Sequence, residues 1–575
     1  MMRVLLPRLT IAACLVGCVT SVRAQPAMPA AQPLPVPAAA AQPASSGDNA
    51  LTAQRLYEFL VAEVAAQRGQ WGVASQMFLK LARETGNVDL ARNAVEASLY
   101  ARQGAAAQSA ARLWLSEDPD SMNALHAVIA LLLGGPRPAD ALPYLRQAMQ
   151  KDPAHAGNEF MRLGGLLAGQ TDRKMVLGLV QTLAAEHPKL AEAHLAVAQA
   201  AARAGDFDTA LHELDGVDAL KPDWDVAAEL RFEVLEHHSP AEADTFAARY
   251  LGAHPKAADL RLAWGRTLLV QNRPAEALVQ FALLAQQLPQ NAEMQVAVGL
   301  VSLQLNDPQR AEAAFRRALE LNYHDPGMLD IYLGQIAEAT QHEHEAADWY
   351  RAVPPGPQYI LAQIRYAALL AHQGKLPAAR DWLQGVTTTN DDDRVQLIRA
   401  EAQLMHEAGD DAGAYDVLGK ALATRPDSVD LLYDHALMAE PLDKLDVVEH
   451  DLRHLLKIKP DYAQALNALG YTYADHNIRL NEAVQLLQQA LKLDPDDAYI
   501  LDSMGWAQYR LGNLPLAAEY LQRAYHALQD PEIAAHLGEV LWKQGKRDEA
   551  RQLWQSALPA HPDNPALRAA ADKFK

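Results

Sequence analysis

The chain has 575 residues and a formal charge of −20; 50% of its residues are hydrophobic but only 6% are aromatic. That acidity opposes any role built on broad attraction to phosphate backbones or anionic headgroups, which removes nucleic acid from the expected partners. One hydrophobic core rarely grows past about 250–300 residues. A repeat array escapes that limit, and alanine runs with few aromatics suit close-packed helices better than sheets of β-branched residues.

Arg3 and Arg8 precede the apolar run Leu9 to Gly17, which has the length of a signal-peptide core and falls short of the roughly 20 residues of a membrane span. Residues 1–24 therefore read as a leader and the chain as exported. Two processing routes fit. The stretch Leu15-Val16-Gly17-Cys18 resembles a bacterial lipobox, which would leave a lipidated Cys18 as the new N-terminus. Val22-Arg23-Ala24 resembles an ordinary cleavage site, which would release a soluble periplasmic protein beginning at Gln25. If the lipobox is used, Val19 in place of aspartate implies sorting to the outer membrane. Both cysteines of the chain, Cys14 and Cys18, lie in this leader, so the mature chain is expected to hold no disulfide, thiol nucleophile or cysteine metal site.

Over residues 25–50 the composition turns to proline, alanine and glutamine, and Pro26, Pro29, Pro33, Pro35, Pro37 and Pro43 stand too close together for helix or packed core. The segment reads as a disordered tether. Extended at about 3.1 Å per residue, Cys18 to Asn49 would span roughly 100 Å.

From residue 51 to 564 a repeat governs the sequence. Pro119, Pro153, Pro188, Pro222, Pro255 and Pro289, then Pro426, Pro460 and Pro495, recur at intervals of 33 to 35 within each ladder, each expected to follow one helical hairpin. Between them lie small residues where two helices touch: Gly69, Ala74 and Phe78 in the first unit, Gly205 and Ala210 further on, then Gly265, Ala277 and Phe281, and Gly299, Ala311, Phe315 and Ala318. The last three units are the most regular, with Gly470 and Ala483, Gly505, Gly512 and Ala517, and Gly538, Gly545 and Ala550; one residue is inserted near Arg479. This is similar to the tetratricopeptide (TPR) pattern. It predicts an all-α, superhelical TPR solenoid of about 15 helical hairpins, with degenerate units near 156–190, 225–257 and 429–460, closed by a capping helix over 565–575.

Nothing in the sequence calls for a catalytic site, metal or cofactor. His342 and His344 are two apart and face different sides of a helix; His237-His238 reads as a solvated turn, and Asn390-Asp-Asp-Asp393 as a charged turn lacking the alternation of a calcium loop. The candidate working surface is the concave wall formed by first helices, at positions 2, 5, 9 and 12. In the last three units these include Asn467 and Tyr471, then Tyr499, Asp502, Trp506 and Tyr509, then Glu539 and Trp542. Aromatic rings beside carboxylates and amides have the character of protein hot spots, and the acidic members favour a partner segment bearing lysine or arginine.

Leu469-Gly-Tyr-Thr-Tyr-Ala-Asp475, Tyr499-Ile-Leu-Asp-Ser-Met-Gly-Trp506 and Ala534-Ala-His-Leu-Gly-Glu-Val-Leu-Trp542 go beyond the generic repeat. Over residues 463–562 the chain resembles a family of Gram-negative TPR outer-membrane lipoproteins, whose best-known type is an adaptor that binds a periplasmic carboxyl-terminal processing protease and brings it peptidoglycan-hydrolase substrates. The resemblance implies a non-enzymatic scaffold on the periplasmic face of the outer membrane, anchored through Cys18, with those proteins as partners. Self-association stays open. The competing expectation is a scaffold or assembly factor of an envelope secretion or polysaccharide-export complex.

Overall fold

The computed structural model describes residues 52–573; the leader with Cys18 and the 25–50 tether lie outside them. Among the described residues there are 31 α-helices and no strand. Thirty of them pair into fifteen helical hairpins of the TPR kind, as the period predicts.

Many of the helices start and stop for a local reason. At their N-termini, Asn87, Ser121, Asp206, Asn291 and Asp530 accept a backbone N–H through the side chain, and Pro240, Pro274, Pro308 and Pro326 occupy the first turn, where a missing N–H costs nothing. Second helices end at the proline ladder. A proline disfavours α geometry for the residue before it, and Asp118, Asp152, Lys221, His254, Leu288, Lys459 and Asp494 all leave the helix with φ between −119° and −142° and ψ between 65° and 90°. In twelve of the fifteen hairpins the turn between the two helices contains a left-handed residue. Gly205 and Gly512 supply it without cost, while Arg102, Gln341 and Arg479 adopt it despite a Cβ.

The described residues divide into two compact units, on either side of the boundary between Asn322 and Tyr323. The first holds eight hairpins, from Ala53–Gln67 with Trp71–Thr85 to Ala292–Gln304 with Pro308–Glu320. A buried cluster of alanine, leucine and valine runs without a break from Ala62 to Val234. The second unit holds seven hairpins, from Pro326–Ala339 with Glu343–Ala352 to Pro531–Lys543 with Arg547–Ala557, followed by the single helix Pro565–Lys573. Leu567 and Ala570 of that helix join the buried cluster of Leu537, Trp554 and Ala557.

The three degenerate stretches are all hairpins, and their linkers explain why the pattern fades. Residues 156–184 carry a six-residue turn between helices, residues 225–253 a single-residue turn at Ser239, and residues 429–458 a five-residue turn through Asp443. His237 and His238 close the helix Asp225–His238 instead of forming a turn, with the His237 ring stacked 5.8 Å from Phe207. Asn390 caps the helix Asp391–Glu407, accepting from the Asp392 N–H at 2.8 Å.

Candidate protein-binding surface

In the last three hairpins the first helix approaches the second through glycine. A Cβ on Gly505 would fall 2.5 Å from Leu521 Cγ and 3.2 Å from the Ala517 carbonyl oxygen; one on Gly470 would fall 2.7 Å from Leu487 Cγ. On Gly538 it would overlap the Trp554 indole. This tight contact fixes the rotation of the helices Ala463–Asp475, Ala498–Arg510 and Pro531–Lys543, and so fixes which side chains meet between neighbouring hairpins.

What meets there is a polar and aromatic network. Trp506, only 6% exposed, donates from Nε1 to Asp475 Oδ1 at 3.1 Å, and the Arg510 guanidinium donates to the Asp475 carbonyl at 2.9 Å while lying 4.8 Å from the Trp506 ring. The His536 imidazole stacks on Trp506 at 4.1 Å and sits 3.0 Å from both carboxylate oxygens of the buried Asp502. Burial alone would drive the His536 pKa down; the charge and hydrogen bond of Asp502, then the charges of Glu532 and Asp475, overcome it and hold it above its ordinary value. Tyr509 donates to Glu539 at 2.9 Å, and burial followed by this hydrogen bond pushes its pKa up to about 12. Lys573 of the last helix reaches the same carboxylate at 3.1 Å.

The eight wall residues read from the sequence thus fall into different settings. Tyr499 is 56% exposed and Tyr471 half-buried. Asp502 and Trp506 lie in the interior, because the hairpins on either side supply His536 and Asp475 to cover them. Tyr509 and Glu539 are half-buried and bonded to each other. Trp542 lies between Arg547 and Arg551, 5.2 and 5.0 Å away, and 6.2 Å from Trp554 in its own hairpin. Asn467 buries its side-chain oxygen without a hydrogen-bond donor.

Sequence reasoning missed His536, Asp475, Arg510, Glu440 and Glu532. A signal existed. Glu440, Asp475 and Arg510 stand 35 residues apart at the end of three successive first helices, and Glu532 occupies the register position of Tyr499.

Around the Tyr471 ring these residues make an acidic surface. Burial raises the Tyr471 pKa most, and Asp475, Asp502, Glu532 and Glu440 add to it through their charges. Glu440 and Glu532 are themselves held above the ordinary carboxylate range, chiefly by desolvation. Neither is ion-paired with a lysine or arginine among the described residues.

Profiles described as "TPR repeat" match residues 479–512, and those described as "Tetratricopeptide repeat" match 296–360 and 503–565. The "TPR repeat-containing protein PA4667" of Pseudomonas aeruginosa is 31% identical over 488 residues, covering 84% of this chain and 82% of that one. "Cellulose synthase operon protein C" of Xanthomonas axonopodis pv. citri is 25% identical over 417 residues, 68% of this chain but only 26% of that protein. Among solved structures, the APC/C hetero-tetramer Cut9–Hcn1 aligns over 91% of this chain and 96% of the matched chain at 13% identity and a TM-score of 0.31. The TPR protein TTC0263 of Thermus thermophilus aligns over 31% and 97% at 22% identity and a TM-score of 0.29. With fifteen hairpins of one kind and a relative matched across most of both chains, this protein belongs to the TPR repeat protein family, alongside PA4667.

Proposed function

We propose that the protein is a non-enzymatic periplasmic scaffold: an outer-membrane lipoprotein adaptor that brings a carboxyl-terminal processing protease to cell-wall hydrolases. The observation that carries the binding role is the acidic, aromatic wall of the last hairpins, where Tyr499 stands open to solvent and Tyr471 sits among four carboxylates. TPR folds host many unrelated functions, so the partner must be argued from such a surface and from sequence resemblance. The resemblance over 463–562 supports the adaptor, and the lipobox-like Leu15 to Cys18 supports the anchor. Among the described residues no helix is long and apolar enough to cross a membrane, so attachment would rest on the lipid at Cys18.

A second reading, an assembly factor for a polysaccharide-export machine, draws on the similarity to cellulose synthase operon protein C. It is the weaker one, since the chain spans only 26% of that protein. An affinity pull-down from detergent-solubilised envelopes separates the two. The adaptor reading predicts recovery of a carboxyl-terminal processing protease, together with accumulation of a wall hydrolase in cells lacking this chain. A stoichiometric export complex without protease would contradict it.

A further inference from the structure

The wall of the last four hairpins carries hydrogen-bond acceptors that the protein itself leaves unanswered. Glu440 ends the helix Val429–Ala439, and among the described residues its carboxylate accepts only from the Thr472 hydroxyl, at 3.4 Å. The Glu532 carboxylate accepts nothing from the described residues, nor does the buried Asn467 oxygen one helical turn before Tyr471. The cations nearby are already committed: Arg510 to Asp475 and Trp506, His536 to Asp502. The patch therefore holds an excess of acceptors and negative charge around an aromatic surface made by Tyr471 and Tyr499.

We infer that this surface docks a positively charged segment of a protein partner, read chiefly through arginines, whose guanidinium groups lie on the tyrosine rings and donate to Glu440 and Glu532. Arginine fits because its planar fork offers five donors and stacks on aromatic faces, where lysine offers a compact, strongly hydrated charge. Glu440 is half-buried and desolvation raises its pKa, while Glu532 is exposed and open to an incoming cation. The inference rests on the reading of this wall as a protein-binding surface and adds the chemistry of what it holds.

The test uses the full chain and a fluorescent Gly/Ser peptide bearing arginines, with its citrulline and lysine counterparts, followed by anisotropy. The expected result is binding in the order arginine, lysine, citrulline, weakened about tenfold or more by Glu440→Gln with Glu532→Gln, and weakened further by salt. Asp494→Asn with Glu519→Gln removes the same formal charge at exposed positions and is expected to change binding less than about twofold. Charge reversal, Glu440→Lys with Glu532→Lys, is expected to transfer binding to a glutamate-bearing peptide, so the inference does not hang on one variant; thermal melts by circular dichroism confirm that each is folded. Equal binding of the citrulline peptide, or an equal loss in the control variant, would overturn the inference. Because the probe contains no protease, success here with no protease in the envelope pull-down would sink the adaptor reading and leave the cation site standing.

Discussion

The hairpins over 463–557 and the hairpin 225–253 solve the same packing problem with opposite distributions of size. In the former, glycine on the first helix faces a large side chain on the second: Gly470 with Leu487, Gly505 with Leu521, Gly538 with Trp554. In the latter the same register positions hold Phe232 on the first helix and Ala247 on the second, in one buried cluster with Ala243, Phe246 and Leu251. The volume between the helices is what the fold conserves, and which helix supplies it is free. A motif search that expects small residues on the first helix therefore loses the hairpin at 225–253, although its geometry is intact.

That comparison can be broken most severely at Phe232. Phe232→Ala should cost about 3–5 kcal/mol, because the ring is fully buried and its removal leaves a cavity; urea unfolding measures it, and adding Ala247→Phe should recover part of the loss. In the regular hairpins the damage runs the other way. Gly505→Leu overfills a contact that includes the Ala517 carbonyl and should cost about 1–3 kcal/mol, with loss of protease resistance near residues 498–527. Gly512→Ala meets no atom within 4 Å, so only its φ of +83° is penalised and the expected cost is about 1 kcal/mol.

The smallest effect is the most specific to the wall. His536 has a raised pKa in the folded protein, so its pairing with Asp502 contributes fully below its unfolded value near 6.5 and is lost as pH rises through the folded value. The melting temperature of His536→Gln should consequently fall further below the parent at about pH 5.5 than at about pH 9. An equal deficit at both would mean that the imidazole acts through packing against Trp506 alone.

Much of this fold was legible in the sequence. Proline marks the end of a second helix because it disfavours α geometry one residue earlier, and Gly69, Gly205, Gly409, Gly512 and Gly545 mark turns because they adopt positive φ. The turns at Arg102, Gln341 and Arg479 gave no such signal, since these residue types do not prefer that geometry. The wall was legible only in part. Helix register says which face a residue occupies, but the burial of Trp506 and Asp502 depends on Asp475 and His536, 31 and 34 residues away in sequence. Those partners become visible only when neighbouring hairpins are stacked.

The central claim is that the C-terminal wall is where this scaffold holds a protein. It is tested most directly by placing a photo-crosslinking amino acid at Tyr499, the open residue of that wall, and at Tyr100, somewhat more exposed but in the first unit, then irradiating intact cells and identifying the adducts by mass spectrometry. The account predicts that position 499 captures a carboxyl-terminal processing protease or a wall hydrolase and position 100 does not. Adducts to those proteins from position 100 alone would contradict it.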